Sequence, residues 1–405
     1  MEQPVRRDLF EHKTFYLAPS GEPVQEDPFR RSDPAKIENR FYTIETGPGG
    51  LKQIYDKELG VAIFRDTHYN AGEVITMTSV GNGAGEFADV QQPDPSDMEQ
   101  TGQYDTNWSV DDDGPIHTRI SYEQKLKHAV VHQTIRIYKH IKRIDFETSL
   151  MNWDGTLFRE FRETFPVNMD DPVVSYEVPF GVVTVGEDEI QEAAGERYTT
   201  HCSDVHPRSI LNWISASDRR FGVTLSSSVV AWDYLDLKNP AGPGNILQPI
   251  LLASRKSCHG EGNDYLQTGT HHFRFSLSSH QPGWSNGYKH GLQSNHPLMV
   301  VVDPPQYLDA SLPESMSFFE VDNEDIIIST IKKAESDEGF VIRLYETKGV
   351  ESRTKVKAWF PMRKVAQTNL IEETERPIPH EKYSFEITPS GHGIETYKII
   401  PSYDE

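Results

Sequence analysis

The sequence predicts an all-β protein, with a large antiparallel β-sandwich followed by a smaller one. Three observations support this fold class. Apolar and polar residues alternate with a period of two, turn signals interrupt the chain at short intervals, and no long amphipathic helical pattern occurs. Antiparallel sheets that must hide one face from water pack on each other, which makes a sandwich the expected architecture.

The first predicted element is a hairpin within residues 37–60, which read IENRFYTIETGPGGLKQIYDKELG. Residues 41–45 and 51–55 alternate as strands do, and the GPGG between them supplies the positive φ angles that a tight turn needs. The hairpin by itself indicates only a β protein.

Further strands follow from the same alternation. In QTIRIYKHIKRIDFE (133–147), Ile135 and Ile137 alternate with Arg136, and after a short turn Ile144 and Phe146 continue the pattern. This predicts a hairpin with one face in water. FVIRLYE (340–346), KVKAWF (355–360) and YSFEI (383–387) are also predicted strands.

We divide the chain into four parts on these patterns. Residues 1–35 are polar and rich in proline, which predicts an extended N-terminal arm. Residues 36–302 form the predicted large sandwich, residues 303–317 a proline-bearing linker, and residues 318–405 the small C-terminal sandwich.

Composition narrows the range of functions. The 405 residues have a formal net charge of -22, which opposes binding to nucleic acid and to anionic membranes but tolerates neutral partners such as sugars. No apolar run is long enough to span a bilayer, and MEQPVRRDLFEHK has no apolar core of a secretory signal. Only two cysteines occur, Cys202 and Cys258, which fits a reducing compartment and predicts a cytoplasmic protein.

Three clusters could carry metal or acid–base chemistry. In HCSDVH (201–206), Cys202, Asp204 and His206 would share one face of a strand, but no further ligand pair lies nearby, so we expect a polar loop and no metal. Glycosidases need paired carboxylates, and acids occur together at 111–113 and 187–189. DDDG (111–114) is more typical of a solvated turn.

The stretch from Arg255 to Trp284 has the densest set of groups that suit a sugar. Arg255 and Asp264 can form charge-assisted hydrogen bonds to hydroxyl groups, His271 and His280 can donate or accept, and Trp284 can stack on a pyranose ring. These five residues are the predicted carbohydrate- or partner-binding site. The alternative is that they brace a loop and the core.

Several stretches together resemble the C-terminal portion of glycoside hydrolase family 38, the α-mannosidases. In chain order they are 37–60, RIDFETSLMNWDGTLFREFRETFPVN (143–168), YEVPFG (176–181), LNWISASDRRFGVTLSSS (211–228), NDYLQTGTHHFRFSLSSHQPGW (263–284) and TNLIEE (368–373). Arg162 and Glu163 stand where the family carries a more apolar, lysine-bearing strand.

The resemblance implies a galactose-mutarotase-like supersandwich that packs against a catalytic domain. In the family, zinc and the catalytic carboxylates lie in an N-terminal domain that has no counterpart here. It therefore implies no catalytic residue, no metal ligand and no cofactor in this chain, which we expect to be inactive alone. The implied partners are carbohydrate (mannosides) or a mannosidase catalytic domain. Two alternatives stay open: a freestanding mutarotase-like sugar enzyme, and a structural or assembly module without ligand.

Overall fold

The computed structural model describes residues 11–15, 33–64, 67–80, 92–188, 207–239, 242, 244–256, 262–302, 313–373 and 375–402. The candidate metal cluster at 201–206 and most of the predicted linker, residues 303–312, lie outside these residues. The chain divides into a large unit, residues 24–178 and 183–298, and a small unit, residues 1–23, 179–182 and 299–405.

Strands dominate both units. The first sixteen are β1 (Glu11–Lys13), β2 (Lys36–Glu38), β3 (Tyr42–Gly47), β4 (Gly50–Asp56), β5 (Val61–Ala62), β6 (Glu73–Val80), β7 (Gln92–Gln100), β8 (Ser109–Asp113), β9 (His117–Lys125), β10 (Val130–Tyr138), β11 (Ile144–Trp153), β12 (Arg159–Pro166), β13 (Val173–Val178), β14 (Gly181–Thr184), β15 (Arg208–Ser209) and β16 (Trp213–Ser217).

The remaining strands are β17 (Gly222–Ser227), β18 (Ala231–Asp233), β19 (Ile246–Ala253), β20 (Arg255–Lys256), β21 (Asp264–Tyr265), β22 (Gly269–His280), β23 (Ser315–Ser317), β24 (Phe319–Val321), β25 (Ile326–Lys333), β26 (Phe340–Glu346), β27 (Thr354–Ala358), β28 (Met362–Thr368), β29 (Glu375–Pro377), β30 (Ser384–Ile387) and β31 (Ile394–Pro401). Among the described residues, 3₁₀ turns lie at Thr101–Gln103 and Trp284–Asn286, and an α-helix, α1, spans Tyr288–Asn295.

Two antiparallel sheets pack face to face in the large unit. The larger has the order β14-β13-β16-β17-β22-β11-β10-β9-β8 and the smaller β15-β18-β19-β12-β6-β7. Phe165 of β12 meets Phe146 of β11 and Phe275 of β22, with ring centroids 5.1 and 6.0 Å apart. Aromatic side chains from the inner faces of both sheets thus form the main core, which confirms the predicted sandwich.

Two hairpins confirm the alternation seen in the sequence. β10 and β11 pair with Ile135 opposite Phe146 and Ile137 opposite Ile144, and all four side chains are buried. β3 and β4 also pair, and Gly49 in the turn has a φ of 64°. The glycine-rich turn therefore does what the sequence predicts.

β12 is buried on both faces, although most of its sequence, REFRETFP, is polar. Arg162 bonds to Glu160 at 2.5 Å and to Asp233 at 3.0 Å on one face of the sheet. Glu163 points into the main core on the other face, where Gln133 donates to it at 3.3 Å. Arg162 and Glu163, which depart from the family pattern, are therefore internal polar groups.

The predicted solvated turn at DDDG is wrong for its three aspartates. Asp111, Asp112 and Asp113 belong to β8, which ends the nine-stranded sheet among the described residues. Asp113 is held by Lys139 at 2.9 Å, and both side chains are almost fully buried. The carboxylates are thus part of strand pairing, and the turn begins only at Gly114.

Helix α1 lies directly on the outer face of the nine-stranded sheet. A side chain at Gly287 would come within 2.2 Å of the His280 ring and the Thr224 hydroxyl, and one at Gly291 within 2.4 Å of Trp213. Glycine at these two positions lets the helix and the turn before it approach the sheet. In the part of the chain that is described, no helix is long and apolar enough to cross a membrane.

In the small unit, too, two antiparallel sheets enclose a core. Its sheets have the orders β24-β27-β30 and β25-β26-β31-β28-β29, and apolar side chains of both enclose its own core. β1 pairs with β23, so part of the predicted arm and of the predicted linker is strand. In β26, Val341 is buried as fully as Ile342 and Leu344, so apolar side chains on both faces of this strand are covered.

Candidate functional site

The five residues predicted as a binding site do not converge. Two of them, His271 and His280, lie near the start and at the end of β22, which is 12 residues long. His271 is opposite Leu150 of β11, and His280 is opposite Gly222 of β17. A strand rises about 3.3 Å per residue, so the two histidines stand about 30 Å apart. The predicted segment is therefore divided between the two ends of one strand.

Three of the five lie toward the first end. Arg255 is buried, and its guanidinium donates to Glu160 at 2.6 Å and to the Ser79 carbonyl at 2.9 Å. These contacts make Arg255 an internal brace of the sheet. Asp264 is exposed, with its carboxylate 3.8 Å from Lys256, and the His271 ring lies 2.5 Å from the carbonyl of Gln267.

His280 and Trp284 lie together at the other end. The His280 ring bonds to the Thr224 hydroxyl at 2.8 Å and to the Gln281 carbonyl at 2.7 Å. Burial lowers the pKa of His280 from 6.5 to about 4, so its ring is neutral near pH 7. The neutral His280 ring lies under the turn and is held by two hydrogen bonds. It therefore positions the turn and is not a ligand-binding group.

Trp284 lines a pocket of about 810 Å³ in the large unit, which we call the Trp284 pocket. Its lining combines one aromatic ring, four carboxylates, two arginines and small polar groups. The lining residues are Asp170, Asp171, Val173, Ser175, Thr184, Glu187, Ser217, Asp218, Arg219, Arg220, Gly283 and Trp284.

A hairpin turn between β16 and β17 supplies one wall of the Trp284 pocket. Asp218 accepts hydrogen bonds from the backbone N–H groups of Arg220 at 2.7 Å and Phe221 at 3.1 Å, as an aspartate at the first position of a turn does. The Arg220 side chain returns to Asp218 at 2.8 Å and also donates to the Asn168 carbonyl at 2.5 Å. The turn and the opposite wall are thereby tied together.

The aromatic wall is fixed from behind. The Trp284 ring stacks on buried Trp213, with centroids 5.9 Å apart and planes 22° apart, and meets Tyr288 edge-on. The Gly283 N–H donates to the Ser217 hydroxyl at 2.7 Å, and Gly283 has a φ of 93°, which favours glycine. The half-buried ring therefore presents a preorganised face to the pocket.

Several polar groups of the Trp284 pocket remain available. In the described part of the chain, the indole N–H of Trp284 and the side chains of Asp171 and Arg219 have no hydrogen-bond or ion-pair partner. Indole and guanidinium groups donate and a carboxylate accepts, so the pocket offers both functions to a hydroxylated ligand beside an apolar face.

The described residues include no group of three or more histidine, cysteine, aspartate or glutamate side chains that could hold a metal ion.

Sequence reasoning found Trp284 and missed the acids and arginines around it. Asp170 and Asp171 follow β12 in the chain, and Arg219 lies in the turn of a hairpin formed by two apolar strands. The run SDRR (217–220) lies between two apolar strands and indicates a polar turn. It was the one sequence feature that could have pointed to this wall of the pocket. The spatial neighbours of that turn depend on sheet order, which alternation does not reveal.

Comparison with known proteins identifies related domains. The model for the C-terminal domain of glycosyl hydrolases family 38 matches residues 37–228, and that for the family's C-terminal β-sandwich domain matches residues 325–397. Together they cover more than half of the chain. Alpha-mannosidase G of Dictyostelium discoideum is 23% identical over 377 residues, which are 90% of this chain and 32% of that protein.

Two solved structures share the fold. An α-mannosidase from Enterococcus faecalis V583 superposes with a TM-score of 0.72 at 14% identity, over 93% of this chain and 43% of that chain. A family 38 protein from Enterococcus faecalis gives 0.72 at 13% identity, over 94% of this chain and 45% of that chain. The chain thus spans about a third of the curated relative and less than half of either solved chain.

Proposed function

The chain belongs to glycosyl hydrolase family 38, of which it carries the C-terminal domains, and from this premise we propose that it binds a neutral carbohydrate in the Trp284 pocket as the accessory portion of such a hydrolase. The observation that carries the proposal is the combination of a rigid aromatic face with unpaired donors and acceptors in one pocket. Pyranose rings need both: C–H groups pack on the ring, and hydroxyl groups bond to the rim.

The sugar class follows from charge and from the relatives. Four carboxylates against two arginines make the pocket acidic, which disfavours phosphorylated or other anionic sugars. The matched proteins of Dictyostelium and Enterococcus are named as α-mannosidases, which supports an α-mannoside. We further propose that a catalytic polypeptide is the protein partner, because the relatives extend well beyond the region matched here. With only two cysteines in the sequence, we assign the chain to the cytoplasm.

Titration with methyl α-D-mannopyranoside and with an α-linked mannobiose, followed by calorimetry and by tryptophan fluorescence, tests the proposal. Trp284→Ala should weaken binding by about tenfold, because an aromatic contact contributes on the order of 1 kcal/mol. Asp171→Asn should weaken it less. Trp359→Ala, which removes a ring that is 45% exposed in the small unit, is the matched control and should leave affinity unchanged.

Stability must be separated from affinity, because Trp284 also stacks on Trp213. Trp284→Phe keeps an aromatic face and removes the indole N–H, so it should keep the melting temperature within a few degrees and weaken binding modestly. The pocket assignment would be refuted if neither sugar bound to the full chain. It would also be refuted if Trp284→Ala and Asp171→Asn both bound the sugar as tightly as the parent chain. Turnover of an aryl α-mannoside by the chain alone, lost on removing one of its carboxylates, would refute the accessory role.

A further inference from the structure

Two arginines stand side by side on the outer face of the nine-stranded sheet. β9 and β10 are antiparallel, and Arg119 is directly opposite Arg136. Side chains in this relation have Cβ atoms about 5 Å apart, and like charges placed so destabilise a sheet. Uncharged polar residues at these two positions would keep this face of the sheet hydrophilic without the repulsion between two like charges. The arginine pair therefore calls for an explanation.

Neighbouring acids contact only part of these two guanidinium groups. The Nε atoms of Arg119 and Arg136 are both buried and have no hydrogen-bond partner among the described residues. Glu147 approaches Nη1 of Arg136 at 3.2 Å. Asp111 lies 3.7 Å from Nε of Arg119, which is too long for a hydrogen bond.

Asp111 is held in that position by other contacts. Its Oδ1 accepts from the hydroxyls of Ser109 at 3.0 Å and Ser121 at 2.9 Å. The carboxylate is thus committed to the β8–β9 pair and leaves the Arg119 Nε–H without an acceptor. A buried guanidinium N–H without an acceptor is costly. An anion would bind at the exposed parts of the two guanidinium groups, because the side chains of Arg119 and Arg136 are 40% and 25% exposed.

A histidine and several carboxylates border the two arginines: Asp111 lies near Arg119, and Glu147 and Asp145 act on Arg136. The ring of His117 lies on the same side of β9, two residues before Arg119, and bonds to Asp112 at 3.1 Å. Burial lowers the pKa of His117, and the charges of Arg136 and Arg119 lower it further. The lowered pKa of His117 is thus partly an effect of the positive charges of the two guanidinium groups.

We propose that the Arg119–Arg136 pair is a binding site for an anionic group, a carboxylate, sulfate or phosphate, that bridges the two guanidinium groups. Guanidinium presents planar, paired donors that match the oxygens of such anions, and the bridging charge would offset the repulsion between the arginines. This site shares no residue with the acidic Trp284 pocket. It therefore goes beyond the proposed binding of a neutral sugar, and it would take a free anion or an acidic sugar.

Anion-dependent stabilisation of the full chain tests the site. Thermal unfolding is measured in chloride and in inorganic phosphate or sulfate at equal ionic strength, and calorimetry measures the affinities of phosphate, glucuronic acid and methyl α-D-mannopyranoside. Phosphate and sulfate should raise the melting temperature by a few degrees above chloride, and the mannoside should not compete with them. Tighter binding of glucuronic acid than of phosphate would assign the site to acidic sugars, and the reverse would assign it to free anions; both support the site.

Charge-removing variants decide between a ligand site and a structural pair. Arg119→Gln and Arg136→Gln should each weaken anion binding at least tenfold, and in chloride they should melt at or above the temperature of the parent chain. Arg363→Gln, which removes an exposed arginine of β28 in the small unit, is the matched control and should keep the phosphate effect. The proposal is overturned if phosphate and sulfate stabilise no more than chloride, if the effect survives in both variants, or if both variants melt lower in chloride while anion affinity is unchanged.

Discussion

Glu163 places an ionisable group inside the main core of the large unit, and its replacement by glutamine should stabilise the protein at neutral pH. The side-chain amide of Gln133 donates to one carboxyl oxygen of Glu163 at 3.3 Å. In the described part of the chain, the other carboxyl oxygen of Glu163 and the side-chain amide oxygen of Gln133 have no hydrogen-bond partner. Burial raises the pKa of Glu163 from 4.5 to about 8. The group is therefore protonated in the folded state at pH 7 and ionised in the unfolded state.

The sign and size of the effect follow from that shift. A folded-state pKa above the unfolded value means that the folded protein binds the extra proton, so this contribution to stability is complete below pH 4.5 and is lost as the pH rises toward 8. At pH 7 the unfolded carboxyl lies 2.5 pH units above its pKa of 4.5. At about 1.4 kcal/mol per unit, ionisation on unfolding lowers the free energy of unfolding by about 3 kcal/mol.

Glu163→Gln removes the ionisable carboxyl group. The new side-chain amide can donate a hydrogen bond to the unpaired Oε1 of Gln133. The difference in the free energy of unfolding between variant and parent should be small at pH 5 and should grow by on the order of 1 kcal/mol per pH unit to about pH 8. Urea unfolding, followed by the fluorescence of the buried tryptophans, measures it at each pH. The exposed Glu123→Gln on β9 is the matched control and should show no such growth. A difference that is constant with pH, or a variant that is less stable at every pH, would refute the reasoning.

Two further predictions concern the turn and helix beside the Trp284 pocket. Gly287→Ala should lower the free energy of unfolding by about 2 kcal/mol, because its methyl group would overlap the His280 ring, whereas Gly114→Ala, with no contact under 3.8 Å, should change it little; thermal unfolding compares them. Burial lowers the pKa of His290 from 6.5 to about 4, so its contribution to stability is present above pH 6.5 and is lost as the pH falls toward 4. His290→Gln should flatten the acid side of the stability–pH curve, exposed His296→Gln should not, and equal curves for both would contradict the assignment.

Local alternation was enough to predict the hairpins. The two faces of β10 and β11 follow from side-chain parity, which each strand carries in its own sequence, so Ile135 and Phe146 could be assigned to the core. Parity does not reveal whether the second face is also covered. In β12 both faces are, and Arg162 finds its partner Asp233 71 residues later, on β18.

The candidate site was predictable only in part, for the same physical reason. A segment rich in sugar-compatible groups pointed to Trp284, whose neighbours in sequence form the turn. The length of β22 then carried His271 to the far end of the strand, while sheet order brought Asp171 and Arg219 to the pocket from other strands. Such neighbours depend on pairings between distant strands.

The aspartates of β8 also affect how copies of the molecule meet. β8 ends the nine-stranded sheet among the described residues, so its outer backbone groups are a possible template for a strand from another molecule. An incoming copy of the same strand would bring its own aspartates against the exposed Asp111 and Asp112, whereas the Asp113 carboxylate is buried against Lys139. That approach of like charges is repulsive, so the acidic edge disfavours sheet-to-sheet association in concentrated solution.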